Sequence, residues 1–220
     1  MRIAGVQGVR RGAHRTVTTT RAQGAARHPD LVKRDWDKPT KPDMWWVADF
    51  TYVWTLTGFV YVSFITDVYS RRILGWRVMG AKQTELVSSA VEQALATRRR
   101  YNSRFTTTGL VHHSDAGSQY TSLAFTEALT EAGIAGSIGT VGDALDNALM
   151  ESTIGLYKTE LIDHRRHRNT WKNKAAVEAA TAEWVHWYNT QRLHSSIGYM
   201  SPIEKEMEYV SAIASRREVA

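Results

Sequence analysis

Cysteine is absent from the 220 residues, and proline occurs only four times. Without thiols, neither a disulfide framework nor a thiolate zinc site can hold the chain together, and a reducing compartment is the expected setting. No stretch reaches the roughly 18 to 20 uncharged apolar residues that a membrane span needs, and the first 30 residues lack the apolar segment of a secretory signal. The expectation is a cytoplasmic protein with no membrane partner. Hydrophobic residues make up 43% of the chain. That share supports a core of domain size and excludes disorder along the whole length.

Acidic charge is scarce at one end. Residues 1–42 hold ten Lys or Arg against Asp30, Asp35 and Asp37, a surplus of seven, while the whole chain carries +6. A basic arm ahead of a nearly neutral body suits attraction to nucleic-acid phosphates, with a solvated leader as the plainer alternative. Its Arg, Thr, Gly and Ala composition lacks apolar periodicity, and Pro39 and Pro42 punctuate its end. The expected organisation is a flexible basic arm over 1–42, a folded body over 43–206 and a C-terminal tail over 207–220. Two smaller basic clusters, Arg98 to Arg100 with Arg104 and Arg165-Arg166 through Lys174, read equally well as solvated helix faces.

Segments rich in Val, Ile, Phe, Trp, Tyr and Thr predict three consecutive strands, Trp45–Thr55, Phe59–Tyr69 and Arg72–Met79, paired antiparallel. Helical periodicity follows over Thr84–Arg99, with Leu86, Ala90, Val91 and Leu95 on one face. A short strand, Gly109–Ser114, runs into Asp115. Beyond it the pattern predicts a helix over Ser122–Ala132, a fifth strand over Gly133–Gly139, a helix over Asp146–Leu161 capped by Asp146, and a helix over Lys174–Asn189. The order is that of an α/β domain.

Three acids stand out by position. Asp49 lies mid-strand in WWVADFTYV, where an uncompensated charge costs several kcal/mol unless a partner or a metal neutralises it. Asp115 ends the fourth strand, where open α/β sheets place ligands. Glu151 falls in the first turns of a helix, with Asn147 one turn before it and Lys158 two turns after, on one polar stripe. Three carboxylates without thiols suit Mg²⁺ better than zinc, and two such ions about 3.5 to 4 Å apart could serve the attacking and leaving oxygens of a phosphoryl displacement. Taken singly, each acid has a plainer reading as a loop cap or a helix-dipole partner. Asp67 is a further strand acid with no catalytic reason to be there.

The segments WVADFTYV, FITDVYSRRILGW, HHSDAGSQYTS, DNALMESTIGLYKTELI and WYNTQRLHSSIGYMSP, in this order, resemble the integrase core of insertion-sequence-3 family transposases. Thirty-five residues separate Asp115 from Glu151, the interval of the D,D,E signature shared with retroviral integrases. The resemblance implies an RNase H-like fold with a five-stranded mixed sheet flanked by helices. It assigns catalysis and the binding of two Mg²⁺ or Mn²⁺ ions to Asp49, Asp115 and Glu151. It also places Lys158 on element-end DNA and gives the segment with Tyr188, Asn189, Arg192 and His194 as the family's C-terminal signature.

The implied reaction is phosphodiester cleavage and strand transfer without a covalent protein intermediate, on insertion-element ends and target DNA, by a homo-oligomer. Ala116 stands where a polar residue is often expected. MRIAGVQGVRRG resembles the tail of a helix-turn-helix-related region, so the expectation is a late start, with end recognition supplied by an upstream-frame helix-turn-helix protein or fusion. Asn147, Gln119, Tyr120, Arg192 and His194 are candidate DNA contacts. Gln119 is also an ordinary turn former, and Trp45, Trp46, Trp184 and Trp187 suit core packing better than base stacking. His113 shares the side of Asp115. Two other functions remain open from sequence: an RNase H-like nuclease without strand joining, and a truncated, non-catalytic DNA-binding remnant.

Overall fold

Alternation with period two carries the first strands, in which successive side chains enter opposite layers. The computed structural model describes residues 28–33, 35–139, 147–163 and 171–218. β1 (Trp45–Thr55), β2 (Gly58–Asp67) and β3 (Ile73–Met79) form an antiparallel meander. Gly58, at φ +110°, makes the turn between β1 and β2, a backbone region closed to other residues without strain. α1 (Thr84–Tyr101) crosses over to β4 (Val111–Ser114), which lies parallel to β1. α2 (Leu123–Glu131) leads to β5 (Ala135–Ile138), parallel to β4. The strand order β3-β2-β1-β4-β5 is the expected five-stranded mixed sheet.

Helices cover both faces. Trp46, Ala48 and Ile65 pack with Val87, Ala90 and Ala94 of α1 and with Phe125 and Leu129 of α2. A methyl group at Gly75 would overlap the Ala90 carbonyl, so α1 lies directly on the β3 backbone. On the other face, Val47, Val62 and Phe64 meet Met150 and Tyr157 of α3 (Ala148–Tyr157) and Val177, Trp184 and Tyr188 of α4 (Lys174–Thr190). α3 continues into a π-helical turn, Lys158–Ile162.

β4 pairs with β1 only from Trp45 to Ala48, whereas β2 follows β1 to Thr55. The sheet therefore divides just past Ala48, and the distal half of β1 runs on in a two-stranded ribbon with β2. Asp49 stands at the division.

Two expected boundaries move. Part of the segment assigned to the basic arm packs on the domain: the Leu31 amide donates to Ser137 Oγ at 2.9 Å, Val32 is buried in the core, and Trp36 meets Trp45 and His113 edge-on. Residues 1–27 of that arm lie outside the described residues. The division at 206 falls inside α5 (Pro202–Glu218), so the described part of the tail continues a helix. Pro202 suits the first turn of that helix, where its missing N–H costs nothing. No helix among the described residues is long and apolar enough to cross a membrane.

Candidate active site

The last β1–β4 pair is Ala48 with Ser114. Asp49 and Asp115 are the residues that directly follow this pair. Asp49 is half-buried, and its Oδ1 accepts the Phe50 amide at 2.7 Å. Burial, then repulsion from Asp115, holds its carboxyl well above the usual range, with Glu151 adding to the rise and Lys158 opposing it. Asp115 is also half-buried and raised, first by burial. The Gly117 N–H, donated at 3.0 Å, and His113 pull it down. A Cβ at Gly117 would sit 3.0 Å from Asp115 Oδ1, so a larger residue in this turn would press on the carboxylate.

Asn147 anchors the third acid. Its Nδ2 donates to the Ala48 carbonyl at 3.0 Å, fixing the start of α3 to the residue before Asp49. It occupies the N-cap position of α3 without a side-chain capping bond; the expected cap, Asp146, lies outside the described residues. Glu151 follows one turn later and is exposed. Lys158 opens the π-helical turn and places Nζ 5.0 Å from the Tyr52 ring centroid, near enough to Asp49 to favour its ionised form. Among the described residues none of the three acids is ion-paired, and no three His, Cys, Asp or Glu side chains gather closely enough to ligate one metal ion.

Several expected contacts sit elsewhere. Tyr120 is 1% exposed, packed against Phe50, His112 and Phe125, so it lines the core instead of a DNA groove. Gln119 is buried and donates to the Lys82 carbonyl at 2.9 Å. The Arg192 guanidinium grips Glu160 at 2.7 and 2.9 Å, and His194 is buried edge-on to Tyr188, with its imidazole pushed down to about 4 chiefly by burial. Asn189 pairs through its amide with both the N–H and the C=O of Ile73, at 2.9 and 2.8 Å. The C-terminal signature thus works as a clasp, tying α4 to β3 and to the end of the helix that carries Glu151. The family resemblance singles out Asn189 and Arg192, but their partners lie 116 and 32 positions away. His113 bonds Ser137 Oγ at 2.9 Å, and Trp45, Trp46 and Trp184 pack in the core while Trp187 is 38% exposed.

Two half-buried acids thus stand at a strand division, and a third opens a helix. Residues 39–144 match an integrase core domain family, and residues 132–202 match a second family also described as an integrase core domain. The transposase for insertion sequence element IS629 of Shigella sonnei is 47% identical over 215 residues, 98% of this chain and 68% of that protein. The chain belongs to the integrase-core transposases of insertion sequences.

A putative transposase for IS986/IS6110 of Mycobacterium tuberculosis (strain CDC 1551 / Oshkosh) is 48% identical over 93% of this insertion-sequence chain and 72% of its own length. Among solved structures, the BIV integrase catalytic core superposes with a TM-score of 0.54 at 19% identity, covering 78% of this chain and 99% of that one. The HTLV-2 integrase catalytic core, solved in complex with magnesium, gives 0.55 at 16% identity, with coverage of 77% and 99%. A chain of the simian T-cell lymphotropic virus intasome gives 0.62 at 16% identity; this chain spans 60% of its length. These likenesses establish the RNase H-like fold. The family acts in DNA transposition by polynucleotidyl transfer and depends on divalent metal.

Proposed function

We propose that this chain cuts and joins DNA strands at insertion-element ends, with Asp49, Asp115 and Glu151 as the residues that hold two Mg²⁺ or Mn²⁺ ions. The observation that carries the reading is the Asp49 and Asp115 pair: two half-buried carboxylates that repel each other and have no ion-pair partner among the described residues. An all-oxygen donor set suits hard divalent cations, and a cation between the two acids would turn their repulsion into attraction. Glu151 is the third donor by the D,D,E interval. It lies near enough to Asp49 to raise that carboxyl further, although the three acids do not gather closely enough to ligate one ion.

Bound divalent ions would supply Lewis-acid activation of the attacking oxygen and charge stabilisation of the leaving one. The chain's own residues position the substrate. Lys158, held at the cleft by Tyr52, supplies a cation for a backbone phosphate beside the acids, and Asn147 keeps the start of α3 against β1. The reaction is displacement at a phosphodiester by water or by a DNA 3′-OH, without a covalent bond to the protein. In this reading the chain works in the cytoplasm as a homo-oligomer on DNA, and a helix-turn-helix partner or fused module reads the element ends.

Purified chain incubated with Mg²⁺ and labelled element-end duplexes should give nicked and joined products. The Glu151→Gln variant should give neither. Cleavage of nonspecific RNA–DNA hybrids without any joined product would sink the strand-transfer assignment.

A further inference from the structure

The distal ribbon of β1 and β2 carries large apolar side chains that the core does not absorb. Trp54 is 55% exposed and Phe59 49%. Phe59 contacts both Tyr52 and Trp54 edge-on, with centroids 5.4 and 4.8 Å apart. The three rings, with Lys158, Ile162 and Trp171, line a cleft of about 230 Å³. That volume falls below the range of drug-sized pockets, so it admits a single flat ring system and not a duplex.

We propose that this cleft takes one unpaired nucleobase of the DNA strand being processed, stacked on Trp54 and Phe59, with Lys158 on the adjoining phosphate. This rests on the strand-transfer reading and adds a contact to it. Two observations favour a nucleotide. A cation already sits at the cleft wall, 5.0 Å from the Tyr52 ring, and aromatic rings interleaved with cations are how base-stacking surfaces are built. Tyr52 lies three residues beyond Asp49 on β1, so the cleft continues along the strand that carries the first acid. A second protein surface would have to bury Lys158, whereas interface centres are depleted of charge.

The test uses two DNA probes in EDTA: a duplex whose end carries three unpaired nucleotides, one of them 2-aminopurine, and the same duplex fully paired. Wild type should quench the 2-aminopurine and prefer the unpaired end by about tenfold. Trp54→Ala and Phe59→Ala should each remove the quenching and the preference with unchanged melting temperature, and Trp54→Phe should restore both. Equal binding of the two probes by wild type, or quenching that persists in both alanine variants, overturns the proposal. So does a change of self-association in Trp54→Ala with the DNA preference intact, which would make this a contact between copies. Mg²⁺-dependent cutting is scored separately. Cutting without end preference removes the cleft alone, and end preference without cutting removes the strand-transfer reading.

Discussion

Two clusters of acids occupy the sheet, and the chain treats them in opposite ways. Asp67, at the end of β2, is wholly buried; its carboxylate accepts from the Asp43 amide at 2.7 Å and from Ser70 N at 2.8 Å, and Arg98 lies 3.3 Å away. Arg98 also reaches Asp43 at 2.6 Å and Glu206 of α5 at 2.7 Å, and Arg72 reaches Glu206 at 2.5 Å. Asp49 and Asp115 have backbone amides and a neighbouring lysine, but no ion pair among the described residues. Leaving carboxylates together without a cation costs stability, and such a cost persists where function uses it. The paired cluster binds the C-terminal helix to the sheet. The unpaired one holds no cation partner among the described residues, as a metal-binding role would require.

Removing one acid from each cluster should separate the roles most strongly. Asp115→Asn is expected to lower strand cutting by on the order of 10³-fold or more while leaving urea stability equal to wild type or higher, since a repulsion disappears. Arg98→Met should do the reverse, costing about 3–5 kcal/mol in urea unfolding because three acids lose their shared cation. Comparable destabilisation by both variants would show that the two clusters do the same job.

The pH dependence sharpens the contrast. Burial raises Asp67 from 3.8 to about 6 despite Arg98, and burial raises Asp49 well above the same value. Both groups hold their protons more tightly folded than unfolded, so their contribution is fully present below about pH 3.8 and is lost as pH rises through the folded value. For Asp67 that loss is on the order of 2–3 kcal/mol between pH 4 and 6. Asp67→Asn should flatten this fall in stability without Mg²⁺. Adding Mg²⁺ to wild type should remove only the part due to Asp49 and Asp115, and a slope unmoved by either change would mean that other groups carry it.

What the sequence shows of this arrangement follows the range of each signal. β1 was predicted at its observed bounds, and the starts of α1 and α4 at Thr84 and Lys174, because period-two and period-3.6 burial are properties of neighbouring residues. Motif and spacing single out the three acids of the proposed site. The ion cluster was not: Arg98 looked like part of a solvated basic run, although it lies at helical spacing from Val91 and Leu95 and is 5% exposed, while Arg99 and Arg100 are exposed. Its partners Asp43, Asp67 and Glu206 come from distant parts of the chain. Tyr120 was misplaced for a related reason. A tyrosine after a strand end looks like a groove residue until Phe50 and Phe125 are seen on either side of it. Val32 and Trp36 docked where composition suggested a free arm, because two large apolar residues suffice to anchor a short polar segment.

The smallest expected effect bears on how the unpaired cluster fills. Asp49 and Asp115 directly follow the last β1–β4 pair and are half-buried, whereas Glu151 lies on α3 and is exposed. The aspartate pair should therefore bind divalent metal first, with Glu151 added as the site closes. Mg²⁺ at about 100 times its dissociation constant stabilises a folded protein by about 2.7 kcal/mol. Thermal unfolding with Mg²⁺ should show that increment in wild type, none in Asp115→Asn, and a reduced but measurable increment in Glu151→Gln. If Glu151→Gln loses the whole increment, the third acid is needed from the first binding event and the pair is not a site in its own right.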